Sequence, residues 1–206
     1  MNHEGVNLQS ATLRQVMTPF WKQETCMRDE MERTFEEVVD FHGHSCPGLA
    51  IGFRMAKAGM AYLSGSRAED EELVAVVENN ACGVDALQYV TGCTFGKGNL
   101  IFNDYGKQVY TLYNRNSGRG VRIVSNHRNI PEGLRENREQ FTEWLLSAPE
   151  EQVVSLQEVQ IDEPEPARIL KSVECAFCGE RVMETRVKWI NGKAACIPCA
   201  EKQGAA

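Results

Sequence analysis

Residues 47–77 read PGLAIGFRMAKAGMAYLSGSRAEDEELVAVV, and the change of pattern within them decides the fold class. Proline is favoured at the first position of a helix. After Pro47 the apolar residues from Leu49 to Leu63 are interrupted by Arg54 and Lys57. Pro47–Leu63 therefore reads as a core helix with little polar surface. No apolar run in the chain approaches the ~20 residues needed to cross a bilayer. Gly48, Gly52 and Gly59 weaken the helix unless another element packs closely against it. Then Leu73–Val77, Leu-Val-Ala-Val-Val, has the length and β-branched content of a short buried strand.

Upstream of this helix, Phe41–Gly48 reads Phe-His-Gly-His-Ser-Cys-Pro-Gly. His42, His44 and Cys46 alternate, so their side chains can point the same way from an extended or looped backbone. Cys46 directly precedes Pro47, which puts its sulfur at a helix N-terminus, where dipole and free N–H groups favour thiolate. Imidazole and thiolate suit Zn²⁺ or another soft divalent ion. A buried loop whose histidines merely satisfy carbonyls is the bland alternative; three such groups spaced by two favour a metal or catalytic site. Further upstream, residues 8–41 are helical in character. Phe20 and Trp21 follow Pro19, and Met27, Met31, Phe35, Val38 and Val39 recur at three- and four-residue steps, a stripe that reads as core packing.

Downstream of the strand comes Asn79-Asn80-Ala81-Cys82-Gly83-Val84-Asp85-Ala86-Leu87-Gln88. Cys82–Val90 reads as a helix, with Asn79 or Asn80 a good N-cap and Cys82 in the first turn. Cys82 by itself reads equally well as a buried structural thiol. Asp85 and Gln88, three residues apart on an otherwise apolar helix, tilt it towards a site with Asp85 as a candidate base. In Thr91–Leu100, Gly92, Gly96 and Gly98 surround Lys97; such a loop could receive an anion, although it lacks P-loop spacing. Leu100–Phe102, Gln108–Tyr113 and Gly120–Val124 are short strand candidates, and Asn103–Lys107 reads as a plain hairpin turn. Pro131 opens a helix to about Ser147, and Val153–Ile161 is a last strand. The order predicts an α+β fold, with a mainly antiparallel sheet packed with helices. His3, Cys26 and His127 receive no role.

Asp162–Arg168 holds three acids and two prolines and reads as a stiff linker. After it, Cys175-x₂-Cys178 and Cys196-x₂-Cys199 match the four-thiolate zinc pattern. Asn191-Gly192 between them is a strong hairpin signal. These features predict a small treble-clef or ribbon-like zinc finger with a structural Zn²⁺. The expected organisation is a core over 1–161 with a helical extension at 1–34, a linker at 162–170 and the finger at 171–206. The finger carries six basic and four acidic side chains, so with its metal it is near neutral, and protein interaction is expected over nucleic acid. Across the chain, a net charge of −7 argues against a spread nucleic-acid footprint. Eight cysteines without a signal-peptide pattern point to metal and thiol chemistry in a reducing, cytoplasmic setting.

Three strings in combination resemble the E-type subunit of formylmethanofuran dehydrogenase and its stand-alone relatives. They are Phe41-His-Gly-His-Ser-Cys-Pro-Gly48 with Gly52 and Arg54, Cys82-Gly-Val-Asp-Ala-Leu-Gln88, and Thr91-Gly-Cys-Thr-Phe-Gly-Lys-Gly-Asn99. The turn Asp104-Tyr-Gly-Lys107 fits as well, and the resemblance covers about Phe35 to Ile161. It implies an α+β core that pairs into a dimer, with zinc or another divalent metal in a cleft formed by His42, His44, Cys46 and Cys82. Asp85 and Lys97 then lie beside it as candidate catalytic groups. Some relatives also carry a four-cysteine finger. The redox chemistry of the named enzyme belongs to its other subunits, which bear the molybdenum or tungsten pterin and iron–sulfur clusters, so the family name does not carry that oxidation over to this chain.

Three functions follow as expectations. The first is a metal-binding protein acting in, or accessory to, anaerobic one-carbon or molybdo- and tungsto-enzyme metabolism. The second is a zinc-binding regulatory or interaction module without catalysis. The third, thiol redox work by Cys46 and Cys82, needs the two sulfurs within disulfide reach.

Overall fold

The computed structural model describes residues 33–65, 67–126 and 130–204. The helical reading of residues 8–32, together with His3, Cys26 and His127, lies outside the described residues.

Helix α1 (Phe35–His42) starts at a reciprocal cap. Thr34 Oγ1 accepts the Glu37 N–H at 3.3 Å, and Glu37 Oε2 accepts the Thr34 N–H at 3.0 Å. It ends at Gly43, whose φ of 96° is left-handed, and this turn throws the chain back towards helix α2 (Pro47–Leu63). Strand β1 (Leu73–Val77) follows, then α3 (Gly83–Thr91), β2 (Leu100–Phe102), β3 (Val109–Asn114) and β4 (Arg119–Ser125). Next are α4 (Arg138–Ser147), the one-turn α5 (Glu150–Val153) and β5 (Val154–Val159).

The five strands form one mixed sheet in the order β2-β1-β3-β4-β5. The β1–β2 pair is parallel, with Ala75 opposite Leu100, and the other three pairs are antiparallel. Thus the fold is α+β, as the element order predicts. The Asn103–Lys107 segment is not a hairpin turn, however: β2 and β3 flank β1 rather than pair with each other. Strand β1 is buried along nearly its whole length and takes the position with a neighbour on each side, while the three-residue β2 is left at the edge. The helix expected over Pro131–Ser147 is also broken. Gly133 is left-handed at φ 75°, a 3₁₀ turn covers Leu134–Glu136, and Asn137 starts α4 by accepting the Gln140 N–H at 3.1 Å. An Asn side chain that competes for backbone N–H groups favours a cap over a helix interior.

Helix α2 is the centre of the core, with Leu49, Ala50, Met55 and Ala56 fully buried. Its glycines mark the close approaches. A Cβ at Gly59 would collide with Ile123 and Leu112 of the sheet, and one at Gly52 would sink into the backbone of Gly83 in α3. Arg54 also belongs to this framework. Its guanidinium donates to the carbonyls of Leu145 at 2.6 Å, Leu146 at 3.0 Å and Ala148 at 2.8 Å, closing the C-terminus of α4. A cation at that end satisfies open carbonyls and opposes the helix dipole. Replacing Arg54 with Met should lower unfolding free energy by about 2 kcal/mol, given the strength of hydrogen bonds to charged groups. A urea midpoint equal to that of the parent protein would contradict this role.

Beyond β5, residues 160–171 carry no regular element. Arg115 holds this stretch to the core through Glu163 Oε1 at 2.9 Å and the Pro164 carbonyl, and the Ala167 N–H donates to Glu71 at 2.8 Å. Two small hairpins follow, β6 (Ser172–Glu174) with β7 (Arg181–Met183) and β8 (Lys188–Ile190) with β9 (Lys193–Ala195), and then α6 (Ile197–Lys202).

Candidate metal centres

The close crossing of α2 and α3 explains how two distant cysteines meet. Cys46 is the N-cap of α2 and Cys82 the N-cap of α3. Because Gly52 and Gly83 let the two backbones touch, both caps face one point. A Cβ at Gly48 would lie 3.6 Å from Cys82 Cβ and 4.0 Å from Cys46 Sγ. The loop between α1 and α2 adds His42 and His44, whose rings lie 4.5 Å apart. One ligand atom from each of His42, His44, Cys46 and Cys82 lies within 4.8 Å of all the others, an arrangement that could hold a metal ion.

The hydrogen bonding around His42 orients it. Its Nδ1 meets Asp85 Oδ2 at 2.7 Å, and Gln88 Nε2 donates to Asp85 Oδ1 at 3.4 Å. Nε2 is buried with no partner. A buried polar atom left unpaired is destabilising, and a histidine whose other nitrogen is held by a carboxylate is the usual arrangement of a metal ligand. The donor set and this orphaned nitrogen fit a soft divalent cation. Cys46 Sγ accepts the Leu49 N–H at 3.4 Å, so it sits in the helix-end environment expected for it. Cys82 differs from expectation: it caps α3 without a side-chain hydrogen bond, and the cap contact expected of Asn79 is spent elsewhere. Asn79 Oδ1 accepts the Ala81 N–H and Nδ2 donates to the Lys107 carbonyl, tying the β1–α3 turn to the β2–β3 loop. Burial, reinforced by the Cys46 sulfur, pushes the Cys82 thiol up, a direction that a bound cation opposes.

Lys97 occupies a different place. Its ammonium donates to the carbonyls of Ala68 at 3.2 Å and Glu69 at 3.4 Å, beside the N-terminal end of β1. Cys82 follows the C-terminal end of the same strand, so within the chain Lys97 is not brought to the His/Cys cluster. Cys93 is fully buried, donates to the Leu73 carbonyl at 3.3 Å and is pushed up to about 11 by burial.

Two neighbours of the cluster escape sequence reasoning. Tyr110 is fully buried, accepts from Gln108 Nε2 at 3.4 Å, and lies where a Cβ on Gly83 would strike its hydroxyl; strand alternation marks it only as core. A cavity of about 430 Å³ between α1, the start of α2 and α4 is lined by Cys46 together with Arg138, Glu139 and Glu143. Its available signal was Glu139 and Glu143, a like-charge pair four residues apart on one helix face.

In the C-terminal segment, Cys175, Cys178, Cys196 and Cys199 also lie with their sulfurs within 4.8 Å of one another. Asn191 and Gly192 are both left-handed, at φ 48° and 75°, as the tight hairpin between β8 and β9 requires. Cys196 is the N-cap of α6. N–H groups of Cys196 and Phe177 bring the Cys175 thiol down to about 6, whereas Cys199 is pushed up to about 12, chiefly by Cys196. Four sulfurs this close cannot all ionise unless a cation joins them, which is the chemistry of a closed thiolate site. Among the described residues no helix is long and apolar enough to cross a membrane.

The family model described as "FmdE, Molybdenum formylmethanofuran dehydrogenase operon" matches residues 41–163. A protein of Archaeoglobus fulgidus, named as a probable S-adenosyl-L-methionine-binding protein, is 31% identical over an alignment that takes in 87% of this chain. The chain spans 56% of that relative's length. Among solved structures, an FmdE-like protein of the tungsten formylmethanofuran dehydrogenase type from Syntrophus aciditrophicus superposes with a TM-score of 0.65 at 25% identity. That match covers 84% of this chain and 95% of the neighbour.

Proposed function

The chain belongs to the FmdE family, and from that premise we propose that it is a metal-binding protein with two zinc sites, acting in or beside anaerobic one-carbon or molybdo- and tungsto-enzyme metabolism. His42, His44, Cys46 and Cys82 hold the core ion, and Cys175, Cys178, Cys196 and Cys199 hold a structural Zn²⁺ in the finger. The observation that carries the core assignment is His42 Nε2, buried and without a partner while Nδ1 is fixed by Asp85. When bound in the cleft, the ion supplies Lewis acidity to a ligand that takes one coordination position. His44, the exposed member of the set, is the donor best placed to yield that position. Asp85 acts as the orienting group of His42 rather than as a free base, since both of its carboxylate oxygens are already engaged.

A second reading rests on the count of donors. Four protein ligands close a tetrahedral site, which favours a structural or sensing metal in a regulatory module. Exposed Phe41, Phe102 and Tyr105 offer apolar surface that a second copy would cover, which supports pairing of two copies. The S-adenosyl-L-methionine in the archaeal relative's name is not assigned to this chain.

Asp85→Asn tests the core assignment. The amide presents His42 with a neutral partner, and metal affinity should fall by about 10- to 100-fold in a chelator competition, the range for lost outer-shell carboxylates. The Co²⁺-loaded parent protein should show thiolate-to-metal charge transfer from a four-coordinate ion with mixed nitrogen and sulfur ligands. Equal affinity in the variant, together with a core that takes up no Co²⁺, would remove the assignment.

A further inference from the structure

Cys46 and Cys82 bring two thiols together at the crossing of two helices. Their sulfurs lie within 4.8 Å, on two helices whose backbones are locked in contact at Gly52 and Gly83. An S–S bond of ~2.05 Å would draw these sulfurs together from helices that already touch. Cys46 is only 4% exposed, yet it is one of the residues that line the cavity of about 430 Å³.

The cavity wall is not a generic surface. Phe35, Pro47 and Leu146 make it apolar, and Arg138, Glu139 and Glu143 converge on it. Among the described residues none of these three charged groups forms an ion pair. One free cation and two free anions beside an apolar wall suit a small molecule bearing both a carboxylate and an ammonium group.

We propose that Cys46 and Cys82 form a dithiol–disulfide couple that exchanges with small zwitterionic disulfides entering through this cavity. Cys46 attacks one sulfur of the incoming disulfide, forming a mixed disulfide and releasing one small thiol. Cys82 then displaces the second small thiol and closes the Cys46–Cys82 bond. The protein dithiol loses two electrons and two protons; the disulfide gains both and leaves as two thiols. The couple uses two of the residues assigned to the core metal and so rests on that reading for its regulation: metal loading and disulfide closure exclude one another.

Cystine serves as the probe, with uncharged hydroxyethyl disulfide as its control. The reduced full-length chain, its finger kept loaded with Zn²⁺, should release two more cysteines per chain than a variant with both Cys46→Ser and Cys82→Ser, and non-reducing peptide mapping should find Cys46 joined to Cys82. Saturating Zn²⁺ should slow this at least tenfold. Cys82→Ser should stop at a cysteine adduct on Cys46. Arg138→Gln should react several-fold more slowly with cystine and unchanged with hydroxyethyl disulfide. Absence of a Cys46–Cys82 bond in the parent protein overturns the couple, and equal slowing of both probes in Arg138→Gln overturns the cavity's part in it. A metal count separates this from the metal reading: a reduced, core-metal-free chain that meets cystine and forms no Cys46–Cys82 bond removes the couple alone, whereas a reduced chain that takes up only one ion at saturating Zn²⁺ removes the core metal site alone.

Discussion

Replacing Cys46 with Ser should reduce bound metal from two ions per chain to one while leaving the protein folded. The substitution isolates coordination chemistry from structure. Serine is a strong N-cap, so the cap of α2, which Cys46 now provides by accepting the Leu49 N–H, survives the change. What disappears is a soft thiolate from a set of two imidazoles and two sulfurs, and a serine hydroxyl stays protonated and binds Zn²⁺ poorly at neutral pH. The four finger thiolates form a separate cluster and keep their ion. Elemental analysis of the purified protein, paired with a urea curve, decides it. Two ions in a folded variant would show that Cys46 is not a core ligand. A parent protein with one ion would show the same of the whole cluster.

The parts of the fold that could be read from sequence are those set by local chemistry. Pro47 fixed the start of α2 to the residue, because a missing N–H and a preset φ belong to one helix position. The β-branched run at Leu73–Val77 and the Asn191-Gly192 turn are of the same kind. Pairing was harder to see. That β1 comes between β2 and β3 depends on which strand most needs two neighbours, a comparison among distant segments. The candidate centres divide in the same way. His42, His44 and Cys46 share one loop and are visible as a spacing, and the finger shows itself by two short gaps. Lys97 looked equally suggestive beside its three glycines, but the chain folds it onto the carbonyls of Ala68 and Glu69 at the far end of β1. Tyr110 and Arg138 reach the neighbourhood of the cluster only through tertiary packing, which no periodicity encodes.

Gly52→Val carries the same argument into the framework. The three glycines of α2 should weaken an isolated helix, so their presence demands a close neighbour, and the structure supplies one: a side chain at Gly52 would occupy the space of the Gly83 backbone. Backbone cannot rotate aside as a flexible side chain can. Relief requires α2 and α3 to separate, opening the most extensively packed helix pair of the core. Overpacking of this kind should lower stability by about 3 kcal/mol or more, at the upper end of the usual range because the obstacle is main chain. The separation also parts Cys46 from Cys82, so core metal should be lost together with stability while the finger keeps its ion. Gly96→Ala is the matched control, since a Cβ there meets nothing within 4 Å, and it should hold two ions at parental stability. A Gly52→Val protein that unfolds at the parental urea concentration and binds two ions would mean that the glycine contact does not set the geometry of the cluster. Loss of the core ion in that variant but not in the control would tie the metal site to a single point of helix crossing.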